Sequence, residues 1–244
     1  MSYNTITRET LDTYLRELAK EFRRLNGKTM PAEIILIGGA SVLANYGFRN
    51  MTTDVDAIIT ATSAMKEAIN RVGDRFSLPN GWLNTDFQNT RSYSPKLMEV
   101  SVYYKTFSNV LTVRTVSAEY LIAMKLISGR KYKNDLSDVI GILEEHRKKG
   151  TPISYERIDA AMRDLYGDWE SVPADAAEFI QKVYAAPDYE ALYRQYREEE
   201  LTSRDALLDF DKTYPGALKE DNMAEILEKA KRRMREKSDS DLER

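Results

Sequence analysis

Hydrophobic and polar positions follow a helical period at the start of the chain and then form a short apolar run. Between Thr7 and Arg24, apolar side chains recur every three or four positions with charged residues between them, which predicts a helix capped by Thr7. Its apolar positions are Leu11, Tyr14, Leu15, Leu18, Ala19 and Phe22. Glu33 to Ile37 is almost wholly apolar, as is typical of a strand buried on both faces, and the run stops at Gly38-Gly39. The opening pattern therefore predicts a helix followed by a core strand.

Seven more elements are predicted before residue 150. They are helices over Ala40 to Tyr46, Ser63 to Val72 and Leu136 to His146, a helix starting at Ser117, and strands over Asp54 to Ile59, Leu97 to Tyr104 and Val110 to Val113. Beyond Pro152 the pattern is helical throughout, and further prolines divide it into about four pieces. The chain is therefore predicted to be α+β, with a mixed sheet flanked by helices over residues 1–150 and an all-helical region over residues 151–244.

Composition narrows the possible metal chemistry to oxygen ligands. The chain has no cysteine, which excludes disulfides, thiolate zinc sites and a cysteine nucleophile. Its one histidine, His146, excludes a multi-histidine metal site and argues against a serine–histidine triad. Carboxylates remain as ligands, and these are preferred by Mg²⁺ or Mn²⁺.

Charge and hydropathy predict a cytoplasmic protein without a membrane partner. The net charge of −3 gives the chain as a whole no attraction for nucleic acid or membranes. No apolar run approaches the roughly 18 residues of a membrane span. The N-terminus lacks the apolar segment of a signal peptide. A basic stretch from Lys229 to Lys237 is either the wet face of an amphipathic helix or a contact for RNA phosphates.

The candidate chemistry lies between the first two predicted strands. Gly38-Gly39 would let backbone N–H groups approach a phosphate at a helix N-terminus, and Ser41 would add a hydroxyl donor. Asp54 and Asp56 are two positions apart on a strand, so their side chains share one face with Cα atoms roughly 6.6 Å apart. Carboxylates on an otherwise apolar strand are costly unless paired, and a divalent cation would pair them. The alternative is that Asp54 caps a turn and Asp56 pairs with Arg49.

Two blocks of residues resemble a known enzyme superfamily. The first comprises Gly38-Gly39, then Arg49, Thr52, Thr53, Asp54, Val55 and Asp56. The second comprises Ala118 to Arg130, which includes Lys125, then Asn134, Asp135 and Asp138. The blocks are similar to the signature of the DNA polymerase β-like nucleotidyltransferase superfamily. Within it, they are similar to the bacterial branch of abortive-infection and toxin–antitoxin nucleotidyltransferases. The resemblance implies that this fold extends over residues 1–150.

The resemblance also implies an activity and a set of site residues. It implies a Mg²⁺- or Mn²⁺-dependent enzyme that moves a nucleoside monophosphate from a nucleoside triphosphate to a hydroxyl acceptor, such as a tRNA, a protein or a small molecule. An antitoxin protein is an implied partner. The implied metal ligands are Asp54, Asp56 and Glu99, which with Lys125 form the catalytic set. The implied nucleotide contacts are Gly38, Gly39, Ser41, Arg49, Thr53 and Arg130.

Several of these roles have alternatives. Glu99 is the one acid in the predicted strand Leu97 to Tyr104, and Asp86 in the polar segment before it is a rival third carboxylate. Lys125 lies among apolar residues and needs an anionic partner, which is the nucleotide triphosphate, Asp135 or Asp138. Arg130 could belong to a solvated basic turn. A non-catalytic member of the fold that binds a partner protein is the alternative to an enzyme.

Overall fold

The computed structural model describes residues 5–219, 222–230 and 232, and its first element is the predicted N-terminal helix. This helix, α1 (Arg8–Asn26), buries one apolar face and is capped by Thr7. The backbone N–H of Thr7 donates to Oγ1 of Thr10 at 2.8 Å, and the backbone N–H of Thr10 donates to Oγ1 of Thr7 at 3.4 Å. Thr10 thus fills the position that glutamate usually takes in a capping box. The predicted helix and its cap are confirmed.

A five-stranded mixed sheet forms the centre of the fold. Its strands are β1 (Ala32–Leu36), β2 (Val55–Thr60), β3 (Leu83–Asn84), β4 (Ser101–Phe107) and β5 (Leu111–Val116). Their spatial order is β3–β2–β1–β5–β4. β1 is antiparallel to β2 and parallel to β5, while β4 is antiparallel to β5 and β3 is parallel to β2. The predicted mixed sheet is confirmed, and the start of β2 lies beside the end of β1.

Helices cover both faces of the sheet. Besides α1, they are α2 (Gly38–Asn45), α3 (Ala64–Phe76), α4 (Ala118–Ser128), α5 (Asp135–Lys148), α6 (Tyr155–Tyr166), α7 (Ala174–Ala185) and α8 (Tyr189–Thr213). Residues 223–230 are also helical. Ile34 and Leu36 of β1 belong to the core that includes α1 and α3. Ile35 and Ile37 belong to the core that includes α4 and α5. Alternate positions of one strand therefore serve two cores, as its continuous apolar run predicted.

The C-terminal helices share the second of these cores. Ile158 of α6 and Ile180 of α7 are fully buried in the same cluster as the inner faces of α4 and α5. α6 packs along α4, and α8 packs along α5. The helical region therefore extends the core on the α4–α5 side of the sheet.

α8 also completes the N-terminus of α5. Glu200 of α8 is only 2% exposed, and its Oε1 accepts hydrogen bonds from the backbone N–H groups of Leu136 at 2.9 Å and Ser137 at 3.3 Å. Arg197, one turn earlier on α8, donates to the side chain of Asn134. The free N–H groups at the start of α5 are thus satisfied by a carboxyl oxygen from a distant part of the chain.

The prediction of a strand over Leu97 to Tyr104 was wrong at its beginning. Pro95–Met98 is a short 3₁₀ helix, Glu99 follows it, and β4 starts only at Ser101. Pro95 stands in the first turn of that helix, where its missing N–H has no partner to lose. Leu97 is fully buried from this turn. Its burial gives the sequence the apolar–polar alternation of a strand, although the backbone here is a 3₁₀ turn.

Two further observations concern the C-terminal basic stretch and the search for membrane-spanning helices. Of the predicted basic stretch, the positions outside the described residues are Lys231, Arg233, Arg235 and Lys237. Among the described residues, no helix combines the length and the apolar composition that a bilayer crossing requires.

Candidate active site

The structure brings Asp54 and Asp56 together at the start of β2. Val55 lies between them and is fully buried in the core beneath α1 and α3, so the two carboxylates project from the other face of the sheet. Asp54 is exposed and Asp56 is half-buried. The backbone carbonyl of Asp56 accepts a hydrogen bond from Ile37 at 2.9 Å, which fixes the start of β2 against the end of β1. The pair therefore stands on a rigid element at the edge of the α4–α5 core.

The electrostatic environment of Asp56 favours a bound cation. Burial raises the pKa of Asp56, and the neighbouring charge of Asp54 raises it further. The positive charge of Lys133, the polar side chain of Asn84 and the charge of Arg130 act in the opposite direction without cancelling these effects. A partly desolvated carboxylate beside a second carboxylate gains free energy when a cation binds between them.

The first turn of α2 lies against Asp56. A β-carbon built on Gly38 would be 3.8 Å from Oδ2 of Asp56, and Gly38 has a φ of +53°, which favours glycine. A β-carbon on Gly39 would be 2.9 Å from Oγ1 of Thr52 and 3.1 Å from Nη2 of Arg49. The glycine pair therefore forms part of the helix, whereas the sequence predicted a link before it. It allows α2 to approach both Asp56 and the loop that follows the helix.

Three of the predicted basic site residues lie in one buried chain of ion pairs. In order, this ion-pair chain is Arg49, Asp138, Lys125, Asp135 and Arg130. Nη1 of Arg49 lies 2.7 Å from both carboxylate oxygens of Asp138. Nζ of Lys125 lies 2.8 Å from Asp138 and 2.8 Å from Asp135. Nε of Arg130 lies 2.8 Å from the other oxygen of Asp135. The ion-pair chain links the α2–β2 loop, α4 and the start of α5. It carries a net charge of +1 from three cations and two carboxylates.

The ion-pair chain shows which partners Arg49 and Lys125 contact in the structure. The alternative that Arg49 pairs with Asp56 was wrong, because Arg49 binds Asp138. Of the partners considered for Lys125, the two aspartates are the ones it contacts. Burial opposes ionisation of both Lys125 and Asp135. Their mutual attraction, with that of the neighbouring charges, nevertheless raises the pKa of Lys125 and holds the pKa of Asp135 well below its usual range.

A comparison with known protein families assigns the chain to one of them. The profile of a family described as "Nucleotidyltransferase of unknown function (DUF6036)" matches residues 13–145, more than half of the 244-residue chain. The chain belongs to this nucleotidyltransferase family. No curated protein and no solved structure matches the chain. The family match includes the carboxylate pair and the whole ion-pair chain, and it ends before α6. The narrower abortive-infection and toxin–antitoxin branch stays a prediction.

The remaining predicted site residues lie apart from the carboxylate pair or contact it weakly. β4 is three strands from β2, about 14 Å at the usual strand spacing, and Glu99 precedes β4 as an exposed residue. Within residues 5–219, 222–230 and 232, no group of three or more His, Cys, Asp or Glu residues is arranged to hold a metal, so neither Glu99 nor Asp86 joins the pair. Ser41 is fully buried. Thr53 is exposed, with its hydroxyl 3.5 Å from Oδ1 of Asp54.

Asn84 and Lys133 influence the pKa of Asp56, and the sequence analysis did not assign either residue to the candidate site. Asn84 is the partner of Asp56 in the β2–β3 ladder, and its side chain acts to lower the pKa of that carboxyl group. The signal in the sequence was the apolar pair Trp82-Leu83 inside a polar segment. It coincides with the start of β3, which is only two residues long. Lys133 lies in the basic turn between α4 and α5, a segment that reads equally well as solvated surface.

Proposed function

We propose that this protein binds a nucleoside triphosphate together with Mg²⁺ or Mn²⁺ at Asp54 and Asp56, and transfers the nucleoside monophosphate to a hydroxyl acceptor. The observation that carries the proposal is the position of Asp56. It is a half-buried carboxylate with a raised pKa, beside a second carboxylate and the first turn of a glycine-rich helix. Membership of a nucleotidyltransferase family supports the same reaction class.

The residues present fit a magnesium ion that shares its coordination with substrate. Mg²⁺ usually binds through one or two carboxylates, with substrate phosphates and water as the remaining ligands. Asp54 and Asp56 supply two carboxylates, and no third acidic ligand from the described residues is needed for this arrangement. Bound there, the ion would neutralise charge that develops on the phosphates during transfer.

The surrounding residues would bind and orient the triphosphate. The first turn of α2 offers unpaired backbone N–H groups and the positive end of the helix dipole to a phosphate. Gly38 keeps this turn close to Asp56. Arg130 adds positive charge at the edge of the site, and Asp135 fixes its orientation through Nε at 2.8 Å. Lys125, which is buried between two aspartates, would act by positioning the helices that carry these groups.

A second candidate function is nucleotide binding without transfer. The observation that favours it is the absence, within the described residues, of a third carboxylate beside the pair to activate an acceptor hydroxyl. In this case the protein would sense or sequester a nucleotide, or use the fold to bind a partner. The tRNA, protein or small-molecule acceptor and the antitoxin partner rest on resemblance alone.

Calorimetric titration tests the binding step. ATP, GTP, CTP and UTP are titrated with Mg²⁺ into the wild type, the double variant Asp54→Asn/Asp56→Asn, and Asp74→Asn. Asp74 is an exposed aspartate of α3, which packs on the other face of the sheet, and it serves as the matched control. We expect metal-dependent binding that is lost in the double variant and kept in the control. A folded wild type that binds none of the four nucleotides would refute the proposal.

Transfer is then separated from binding by product analysis. The preferred nucleotide, labelled on its α-phosphate, is incubated with the protein and with tRNA or total protein as acceptor. Label that becomes covalently attached to an acceptor, with stoichiometric release of pyrophosphate, supports transfer. Tight binding with neither product would favour the second candidate function.

A further inference from the structure

We infer that Arg49 is a positioning residue of the candidate site, which fixes the backbone of Asp54 and the first turn of α2 and does not act as a charge on the phosphates. The inference rests on the proposed function, and it replaces the nucleotide contact that the resemblance implied for Arg49. The observations that carry it lie in residues 46–54, the loop between α2 and β2.

The guanidinium group of Arg49 joins this loop to α5. Its Nη1 lies 2.7 Å from both carboxylate oxygens of Asp138, in the first turn of α5, and its Nε donates to the backbone carbonyl of Met51 at 2.9 Å. The side chain of Arg49 is 12% exposed and that of Asp138 is 2% exposed, so water competes little for the pair. Because the guanidinium is planar, these contacts together fix its orientation. The carbonyl of Met51 is therefore held at a set position relative to α5.

The next residues of the loop connect this support to Asp54. Thr52 is 5% exposed, and its Oγ1 donates to the backbone carbonyl of Asp54 at 3.1 Å. The backbone of Thr52 also pairs with that of Ile6, through N–H groups that donate in both directions at 2.8 and 2.9 Å. The segment from Met51 to Asp54 is thus held by Ile6 on one side and by Arg49 on the other. A metal ligand must stay within roughly 0.5 Å of its productive position, so loss of one support matters.

The same guanidinium group lies against the first turn of α2. A β-carbon built on Gly39 would be 3.1 Å from Nη2 of Arg49 and 2.9 Å from Oγ1 of Thr52. The absence of a side chain at Gly39 therefore lets the helix pack directly on the two side chains that support the loop. The neighbouring Gly38 faces Asp56. Arg49 thus supports the helix turn and the loop together, and these are the two elements that border the carboxylate pair.

The alternative is that Arg49 binds a phosphate of the nucleotide. A charge that acts on the phosphates contributes nothing to metal binding when no nucleotide is present, apart from its repulsion of the metal ion. A support of Asp54 contributes to metal binding whether or not a nucleotide is present. Binding of the metal alone therefore separates the two roles.

The experiment measures the binding of Mn²⁺ alone, by electron paramagnetic resonance, to Arg49→Met, Asp138→Asn and the double variant of both. Charge alone predicts opposite results for the two single variants, because loss of a cation favours Mn²⁺ binding and loss of an anion disfavours it. Positioning predicts the same result for both, since each breaks the ion pair between the loop and α5. The double variant removes one charge of each sign and tests the contact at an unchanged net charge.

We expect each of the three variants to bind Mn²⁺ about tenfold more weakly than the wild type, the lower end of the loss when a support of a metal ligand is removed. The double variant should be no weaker than the single ones, because all three lose the same contact. Arg49→Lys keeps the charge, but one ammonium group cannot hold Asp138 and the carbonyl of Met51 in the geometry of the guanidinium. It should therefore lose affinity for Mn²⁺ as well.

The matched control is Arg8→Met, which removes an arginine from the other end of α2. Nε of Arg8 donates to the backbone carbonyl of Leu43 at 3.0 Å, and its Nη2 donates to that of Tyr46 at 2.7 Å. This variant also loses two hydrogen bonds to backbone carbonyls and one positive charge. It should bind Mn²⁺ no more weakly than the wild type, because its contacts lie away from the glycine pair.

The outcomes separate this inference from the proposed function. A folded Arg49→Met that binds Mn²⁺ as tightly as the wild type, or more tightly, would overturn the inference, as would an equal loss of affinity in Arg8→Met. Should Arg49→Met fail to fold, Arg49→Lys and the double variant keep the net charge, and wild-type affinity in either would overturn the inference. In all these cases the proposed function stands if the wild type binds Mg²⁺ with a nucleotide and Asp54→Asn/Asp56→Asn does not. A wild type that binds neither Mn²⁺ nor any nucleotide would overturn both proposals.

Discussion

Replacing Lys125 with methionine removes the central charge of the ion-pair chain while keeping much of the side-chain volume. Asp135 is then left with Arg130, and Asp138 with Arg49. The two carboxylates are 0% and 2% exposed, so water cannot replace the lost ammonium group. Removing one partner of a buried ion pair costs about 3–5 kcal/mol. Because each carboxylate keeps one guanidinium, we expect the lower end, about 3 kcal/mol.

The matched control for this variant is Lys182→Met on α7. Lys182 is 66% exposed and pairs with Glu178, which is 72% exposed, at 3.3 Å. Solvent-exposed pairs contribute about 0–1 kcal/mol, so the control should be nearly as stable as the wild type. Both substitutions remove one lysine charge, but Lys125 and its two partner carboxylates are buried whereas Lys182 and its one partner are exposed.

Urea unfolding followed by circular dichroism measures the difference. With a dependence on urea of about 3 kcal/mol/M, Lys125→Met should unfold at a midpoint about 1 M lower than the control. The pKa of Asp135 is depressed below the unfolded value of about 3.9, and that of Lys125 is raised above about 10.4, so the full difference is expected between about pH 4 and pH 10. It should shrink as the pH falls further and Asp135 becomes protonated. Equal midpoints for Lys125→Met and Lys182→Met at pH 7 would refute the reasoning.

Three further predictions concern stability. Burial raises the pKa of Glu200 to about 8. The contribution of its protonated form to the free energy of unfolding is therefore full below about pH 4 and is lost as the pH rises through 8. The urea midpoint of the wild type should therefore fall between pH 5 and pH 9, whereas that of Glu200→Gln should stay level. An equal fall in both proteins would contradict this. Gly141→Ala places a β-carbon 2.6 Å from the ring of Phe48, and should lower stability by about 1–3 kcal/mol in urea unfolding. The added change Phe48→Leu should recover part of the loss, and no recovery would mean that the clash is elsewhere. Thr7→Ala removes the cap of α1 and should cost about 1 kcal/mol by the same assay, whereas an unchanged midpoint would mean that the cap contributes nothing.

The elements that the sequence predicted well are those with a local signal. α1 has a full apolar stripe and a capping threonine, and β1 is a continuous apolar run, so both were placed within a few residues. β3 has two residues and therefore no period to detect. The first part of the predicted strand at Leu97 was wrong because one buried leucine in a 3₁₀ turn gives the same alternation as a strand.

The site was only partly predictable for a similar reason. Asp54 and Asp56 are close in sequence, and their spacing alone indicates that they lie together. The partner of Arg49 is Asp138, 89 positions later, and nothing local to either residue selects it. Asn84 joins the site through a strand pairing, so its role follows from tertiary structure alone.

The carboxyl group of Glu200 connects the first turn of α5 to a later part of the chain. The first turn of α5 needs a hydrogen-bond acceptor that lies 64 positions later, in a helix outside the segment shared with the family. A ribosome makes Leu136 long before Glu200, so a nascent chain exposes two unpaired amide groups next to the ion-pair chain until α8 emerges. The segment matched by the family profile therefore depends, for the hydrogen bonds of two amide groups beside its ion-pair chain, on a helix that the profile does not include.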